Sequence, residues 1–281
     1  MKYSSDMNEN LIRSKLNDDR FSFVIKGCVS STNTILKEMA ENAAAEYTVL
    51  ISDFQTGGRG RLGRSFYSPP GTGIYMSILL RPDKNINDSL LLTTCMAVCC
   101  ARAIEQISQK DAKIKWVNDI YVEERKVCGI LSEASVDSES GNLRYAVVGI
   151  GINVFAPKEG FPEDIKTKAG SLFEFEHERG SIRSDIIAGI LNNFISFYPN
   201  ISKNDFIDEY RSRSFLDNRE IEVLRMNGSE KATALSIDDE LRLVVKYQNG
   251  STEALSHGDV SIYQGGCLNS PDRKKVITKR N

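Results

Sequence analysis

Between two apolar runs, residues 48–52 (TVLIS) and 74–80 (IYMSILL), the chain carries a segment that no regular element accommodates. Residues 54–73 hold six glycines, two prolines and three arginines, and their centre reads Gly57-Gly58-Arg59-Gly60-Arg61-Leu62-Gly63-Arg64. Glycine weakens helices and strands alike and proline removes a backbone donor, so the segment is a long loop joining two strands. Its glycines let the backbone approach a ligand. Its three arginines, with no acid between them, face a shared volume and suit phosphate oxygens. From spacing alone, a solvated basic loop or one that binds nucleic acid is the alternative.

Around this loop the hydrophobic period outlines an α/β domain. Residues 21–29 read as a strand, and Ser31 follows as an N-cap for a helix whose apolar face includes Ile35, Leu36 and Met39. Residues 90–107 are apolar nearly all round, which predicts a helix buried under the sheet. Residues 119–122 and 127–131 predict two short strands separated by the charged turn Glu123-Glu124-Arg125, and residues 145–154 add another. Ser181 caps a helix with Ile182, Ile186, Ile190 and Phe194 on one face, and residues 205–213 form a third. After Asn218, short alternating segments with turns at Asn227-Gly228, Asp238-Asp239 and Asn249-Gly250 predict a separate five-stranded barrel. The expected organisation is a polar segment at 1–20, an α/β domain at 21–215, a barrel at 216–265 and a basic polar tail at 266–281.

Composition narrows the function classes. The net charge of −2 and pI near 5.9 give no global attraction for nucleic acid, so anion binding must come from a local cluster. Cys28, Cys95, Cys99, Cys100, Cys128 and Cys267 lie mostly in apolar runs, and the adjacent pair Cys99-Cys100 suits neither a disulfide framework nor metal-binding pairs. They read as buried free thiols in a reducing cytosol. The first ten residues are polar and acidic, and no stretch approaches the ~20 apolar residues of a membrane span, so a soluble, cytoplasmic protein is expected. His177 and His257 sit in polar settings far from any cysteine pair, and no metal site built from protein side chains is expected.

Two further motifs carry chemistry. Lys115-Trp116-Val117-Asn118-Asp119 places a lysine at the end of a short strand, where a compact charge suits a position between two anions. A surface lysine beside a core tryptophan is the plain alternative. Gly149-Ile150-Gly151-Ile152-Asn153 has the look of a dinucleotide fingerprint, yet it lacks the third glycine and runs on as strand. Close backbone packing or nucleotide contact by Asn153 remain as its two readings.

Taken in order, Ser31-Thr32-Asn33, the run from Gln55 and Thr56 through Arg64, Lys115-Trp116-Val117-Asn118-Asp119, Arg125-Lys126-Val127-Cys128-Gly129-Ile130-Leu131 and the 149–153 segment resemble the biotin–protein ligases. Each motif is weak alone, and five in family order are specific. The resemblance runs over about residues 21–263. It implies an α+β fold, a class II synthetase-like mixed sheet packed with helices, followed by a small SH3-like barrel. It also implies that Ser31, Thr32, Asn33 and Gln55 hold the ureido and ring end of biotin. Arg59, Gly60 and Arg61 would lie in a flexible loop that covers the ligand, and Lys115 beside the biotin carboxylate and the α-phosphate. Arg64, Phe66, Asn118 and Asn153 complete the implied ATP and adenylate site, with Lys115 and Arg61 as its catalytic residues. Two departures stand out: Val117 where the family commonly has proline, and Phe66 where it often has tryptophan.

The implied activity is ATP-dependent adenylation of biotin, with Mg²⁺ accompanying the triphosphate, then transfer to a lysine of a biotin carboxyl carrier protein or domain. No nucleic-acid partner is expected, because only about twenty polar residues stand where regulatory members carry a DNA-binding domain, and no membrane partner is expected for want of a long apolar stretch. The oligomeric state is open, a homodimer included. Two rivals remain: a lipoate or octanoate ligase or transferase of the same fold, and a non-catalytic protein that retains biotinyl-adenylate. The arginine-rich loop and the small barrel favour biotin over lipoate, and Lys115 with the full arginine set favours catalysis.

Overall fold

Seven strands form a mixed sheet whose middle members are buried on both faces. In the computed structural model, which describes residues 7–82, 89–137, 139, 142–174, 180–203, 205–225, 228–256 and 258–262, a short helix α1 (Glu9–Arg13) precedes β1 (Ser22–Val29), α2 (Thr32–Glu41), β2 (Thr48–Gln55) and β3 (Gly73–Leu80). There follow α3 (Ser89–Ser108), β4 (Lys113–Lys115), β5 (Asp119–Val122), β6 (Arg125–Val136) and β7 (Leu143–Asn153), then α4 (Ile182–Phe197) and α5 (Ile207–Ser212). The sheet order is β1-β2-β3-β7-β6-β5-β4, with β1 and β2 parallel and every other pair antiparallel. The expected mixed sheet is therefore present, and β6 extends five residues past the predicted end at Leu131, to Val136.

Strand alternation sorts the side chains of β3 and β7 into two sets. Leu79, Tyr145 and Val147 pack with Leu36 and Ala40 of α2 and with Leu50 in one core cluster, so the odd-numbered positions face α2. The even-numbered Met76, Ile78, Val148, Ile150 and Ile152 are buried on the opposite face. The helices α3 and α4 pack on each other and contact β6, β7 and β3. That accounts for the all-round apolarity of α3. Leu90–Ser108 is in fact long and apolar enough to cross a membrane by length and composition, which amends the sequence expectation, and 67% of its most apolar window is buried inside the fold. The turn between β5 and β6 puts both Glu123 (φ 51°) and Glu124 (φ 62°) in the left-handed region, the geometry of a two-residue hairpin turn matched to strand twist.

The chain divides into two compact units, Met1–Phe215 and Leu216–Asn281. In the second, β8 (Glu220–Arg225), β9 (Gly228–Ile237), β10 (Leu243–Tyr247), β11 (Thr252–Leu255) and β12 (Asp259–Ile262) form an antiparallel sheet in the order β11-β10-β9-β8-β12. The predicted barrel is thus a five-stranded sheet in which, among the described residues, β11 and β12 are not paired with each other. Asn227, both histidines, Cys267 and the basic tail lie outside the described residues.

Candidate active site

The polar centre of the first unit forms where β1 hands over to α2. Ser31 occupies the N-cap position as expected, but its side chain makes no capping bond. The helix start is served from a neighbouring strand: Thr32 N–H donates to Gln55 Oε1 at 2.9 Å, and Thr32 Oγ1 donates to the same oxygen at 3.2 Å. Gln55 Nε2 in turn donates to Ser68 Oγ at 3.0 Å. Ser77 Oγ lies 2.8 Å from Thr32 Oγ1 and donates to Asn33 Oδ1 at 2.6 Å. Asn33 spends its two N–H groups on Leu131 O (3.1 Å) and Glu133 Oε2 (2.9 Å). Ser31, Thr32, Asn33, Ser68 and Ser77 are all buried, so a neutral network of short donors and acceptors lies under the N-terminus of α2.

The loop that joins β2 to β3 is more ordered than its composition predicts. Its two limbs are tied by Gln55 N–H to Ser68 O (3.3 Å) and Phe66 N–H to Gly58 O (2.9 Å), and Gly57 N–H donates to Ser30 O at 2.8 Å. The tip closes through a bridge between Arg59 and Ser65 and a 3₁₀ turn at Arg61–Gly63, in which Leu62 has φ 54° and lies 71% exposed. Arg59 and Arg64 are exposed and Arg61 is half-buried. The expectation of uncompensated arginines is corrected at Arg59. Arg59 Nη2 lies 3.2 Å from Glu133 Oε1, an acid far along the chain that β6 brings under the loop. Lys37 Nζ also reaches Glu133 Oε1, at 2.7 Å. Burial opposes the Glu133 charge, but the hydrogen bonds from Lys37 and Asn33 and the charges of Lys37 and Arg59 outweigh it and hold the carboxyl below its usual range.

Arg61 connects the loop to the lysine segment. Its Nη1 donates to Asn118 Oδ1 at 3.1 Å, while Asn118 Nδ2 donates to Ile130 O at 2.8 Å and Ile130 N–H returns a bond to Asn118 O at 3.0 Å. Lys115 ends β4, half-buried, in register with Asp119. Trp116 and Val117 are buried and joined by a cis peptide bond, at the position where the family commonly has proline. Tyr210 of α5, fully buried, donates to Val117 O at 3.1 Å and supports this backbone from behind.

The glycines of 149–153 answer to side chains. A Cβ on Gly149 would stand 2.0 Å from Asn33 Oδ1, and one on Gly151 would stand 2.6 Å from the Phe66 ring. Gly129 faces Gly151 across β6 and β7 and also borders Phe66. Phe66 therefore lies on a glycine floor, edge-on to Tyr75 at 6.4 Å between centroids. The contacts support the close-packing reading for the two glycines. Asn153 is held elsewhere: its Nδ2 donates to Gly170 O at 2.9 Å, in the segment that follows β7.

Thr32, Asn33, Gln55 and Arg59 are thus linked, directly or through Glu133 and Ser77, and Arg61 is linked separately to Asn118, whereas Arg64 sits on the exposed tip. Ser68, Ser77, Glu133 and Lys37 were missed in the sequence. Ser77 had a signal, a small polar side chain inside the largely apolar and wholly buried β3. Cys95, Cys99, Cys100 and Cys128 are buried free thiols, and Cys28 is exposed. Burial pushes the Cys99 and Cys100 thiols well up, which leaves them poor nucleophiles.

Known proteins resemble this chain over most of its length. Residues 26–153 match the profile of the biotin/lipoate A/B protein ligase family. The bifunctional ligase/repressor BirA of Bacillus spizizenii is 34% identical over 230 residues, which is 81% of this chain and 70% of that protein. The chain belongs to the biotin/lipoate A/B protein ligase family. Among its relatives, the biotin–[acetyl-CoA-carboxylase] ligase of Mycobacterium tuberculosis is 28% identical over 82% of this chain and 85% of its own length. The solved biotin protein ligase of Aquifex aeolicus, in complex with biotin and ATP, superposes with a TM-score of 0.69 at 27% identity, covering 86% of this chain and 99% of that one. Every site residue named from the sequence, Ser31 through Asn153, falls inside the segment matched by this ligase family.

Proposed function

We propose that this chain is a biotin–protein ligase. The observation that carries the reading is the juxtaposition, on one face of the sheet, of the neutral Thr32–Gln55–Ser77–Asn33 network with a loop of three arginines bonded to the lysine segment through Asn118. A urea offers one strong acceptor and two N–H donors and carries no charge, so short neutral partners suit it, while an acyl phosphate calls for cations. The described bonds leave one Nε2–H of Gln55 for a ureido carbonyl and a second lone pair on Asn33 Oδ1 for a ureido N–H.

In this reading biotin enters first, its head against the N-terminus of α2. Ser31, Thr32, Asn33 and Gln55 hold the ring end, and Gly60 lets the loop backbone close over the valeryl chain. ATP, taken with Mg²⁺ as its ordinary substrate form, then binds over the carboxylate, with Phe66, Asn118 and Asn153 toward the nucleotide. A carboxylate oxygen attacks the α-phosphorus in line and the bond to pyrophosphate breaks. Lys115, Arg59, Arg61 and Arg64 offset charge on the phosphoryl oxygens. The ε-amine of an acceptor lysine next attacks the acyl carbon of the mixed anhydride, AMP departs and the amine loses its proton. Until then the loop shields the anhydride from water.

The acceptor is a biotin carboxyl carrier protein or domain. The test is incubation of the chain with ATP, biotin and such a domain, followed by a streptavidin blot. A biotinylated acceptor whose labelling requires ATP is the expected result, and no label under any condition overturns the reading.

A further inference from the structure

Glu133 is named by no motif, yet it is the point at which three parts of the candidate site meet. Its Oε2 accepts from Asn33 Nδ2 at 2.9 Å, and its Oε1 lies 2.7 Å from Lys37 Nζ and 3.2 Å from Arg59 Nη2. The carboxylate side chain is 19% exposed while that of Arg59 is 46% exposed, so a largely buried acid holds a solvent-facing arginine. It lies in β6 two residues from Leu131, whose carbonyl takes the other Asn33 N–H. With both N–H groups pointed at β6, Asn33 has its Oδ1 turned toward Ser77.

We propose that Glu133 is a positioning residue: it fixes the Asn33 amide and tethers the arginine loop through Arg59, so that the loop is already placed over the pocket before ligand arrives. This rests on the ligase reading for what the pocket receives, but the tether itself does not. Lys37 has a distinct part in it. It matches the Glu133 charge, which leaves the Arg59 guanidinium with most of its donors uncommitted and its charge available to an anion. Nothing in the arrangement has Glu133 touch a reacting atom.

Limited trypsin digestion of the full chain reads the tether without any ligand, since Arg61 and Arg64 lie in the loop and are ready cleavage sites. Glu133→Gln keeps an acceptor for Asn33 and removes the charge. Cleavage after Arg61 and Arg64 is expected to speed up roughly three- to fivefold in Glu133→Gln and by the same factor in Arg59→Ala, as for loss of one partly exposed charge pair. The double variant should be cut no faster than either single one, because both changes break the same contact. Rates that multiply in the double variant, or a loop cut no faster in Glu133→Gln, overturn the tether. Equal acceleration at sites outside the loop also overturns it, since that is general destabilisation. A kinetic split separates positioning from a merely structural role: Glu133→Gln should raise KM for biotin about tenfold while kcat for pyrophosphate release stays within about twofold, the pattern of lost ground-state placement. A fall in kcat with unchanged KM contradicts it. If the wild-type chain releases no pyrophosphate with biotin, the ligase reading fails, and the digestion cycle still decides the tether.

Discussion

Arg61 donates from Nη1 to Asn118 Oδ1 across 3.1 Å, and that bond joins the glycine-rich loop to the segment that carries Lys115. Asn118 is itself fixed at both its amide and its carbonyl by Ile130, so the arginine meets an acceptor that cannot follow it. The loop and the lysine segment are therefore joined by a hydrogen bond without any ligand, and on the ligase reading the two cations should fail differently when removed.

Lys115→Ala should lower kcat for pyrophosphate release by about 10²–10³, the loss typical of one preorganised charge-stabilising group. Arg61→Gly should leave adenylation running and shorten the life of the bound adenylate, because the lid loses its hold on Asn118. Single-turnover pyrophosphate release and the half-life of filter-trapped adenylate separate the two. Equal slowing of adenylation with unchanged retention would remove this division of labour.

The neutral network predicts a different signature. Gln55→Ala should weaken biotin binding by about 1–3 kcal/mol, because Thr32 N–H and Ser68 Oγ lose their partner and the ligand loses a donor. Ser77→Ala should cost less than this, since Asn33 keeps both bonds to β6. Titration calorimetry with biotin checks both, and unchanged affinity in Gln55→Ala would place biotin elsewhere.

How much of this could be read from the sequence depends on whether the signal is local. The Gly57-to-Arg64 loop, the buried α3 and the helix starting after Ser31 follow from neighbouring residues, and all three are where the pattern puts them. Glu133 and Lys37 were illegible because their meaning is a meeting of β6 with α2, set by sheet register and packing. The capping of Thr32 by Gln55 was hidden for the same reason. The arrangement of the last five strands was read only as far as their alternation, which specifies strands and turns but not which edges pair.

The glycine floor gives a packing test. Gly149→Ala brings a methyl within 2.0 Å of Asn33 Oδ1, so the amide must move, and biotin affinity should fall by about tenfold or more while the fold survives. Gly151→Ala pushes instead on the Phe66 ring and should lower Tm, and adding Phe66→Ala should recover part of that loss. Thermal unfolding of the two single variants and the double variant measures this. Additive losses would show that the ring does not rest on Gly151.

A fourth prediction concerns acid. Glu209 of α5 accepts from Arg102 Nε at 2.9 Å and from Arg213 Nη2 at 2.8 Å. Burial works against its charge, but these two arginines outweigh it and hold the carboxyl below its ordinary 4.5. A depressed folded-state value means that the stabilisation is present above about pH 4.5 and is lost as pH falls below that value through the folded one. Glu209→Gln should therefore be less stable than wild type at pH 7 and lose less on acidification. Because α5 supports Val117 O through Tyr210, activity should fall with it. Parallel acid limbs for the two proteins in urea unfolding would contradict the assignment.

The most direct test of the central claim is ATP–pyrophosphate exchange by the purified full chain, measured with biotin, lipoate or octanoate as the acid. The account predicts exchange that depends on biotin, is at background with the other two acids and is lost in Lys115→Ala. Exchange supported by lipoate or octanoate and not by biotin would contradict it.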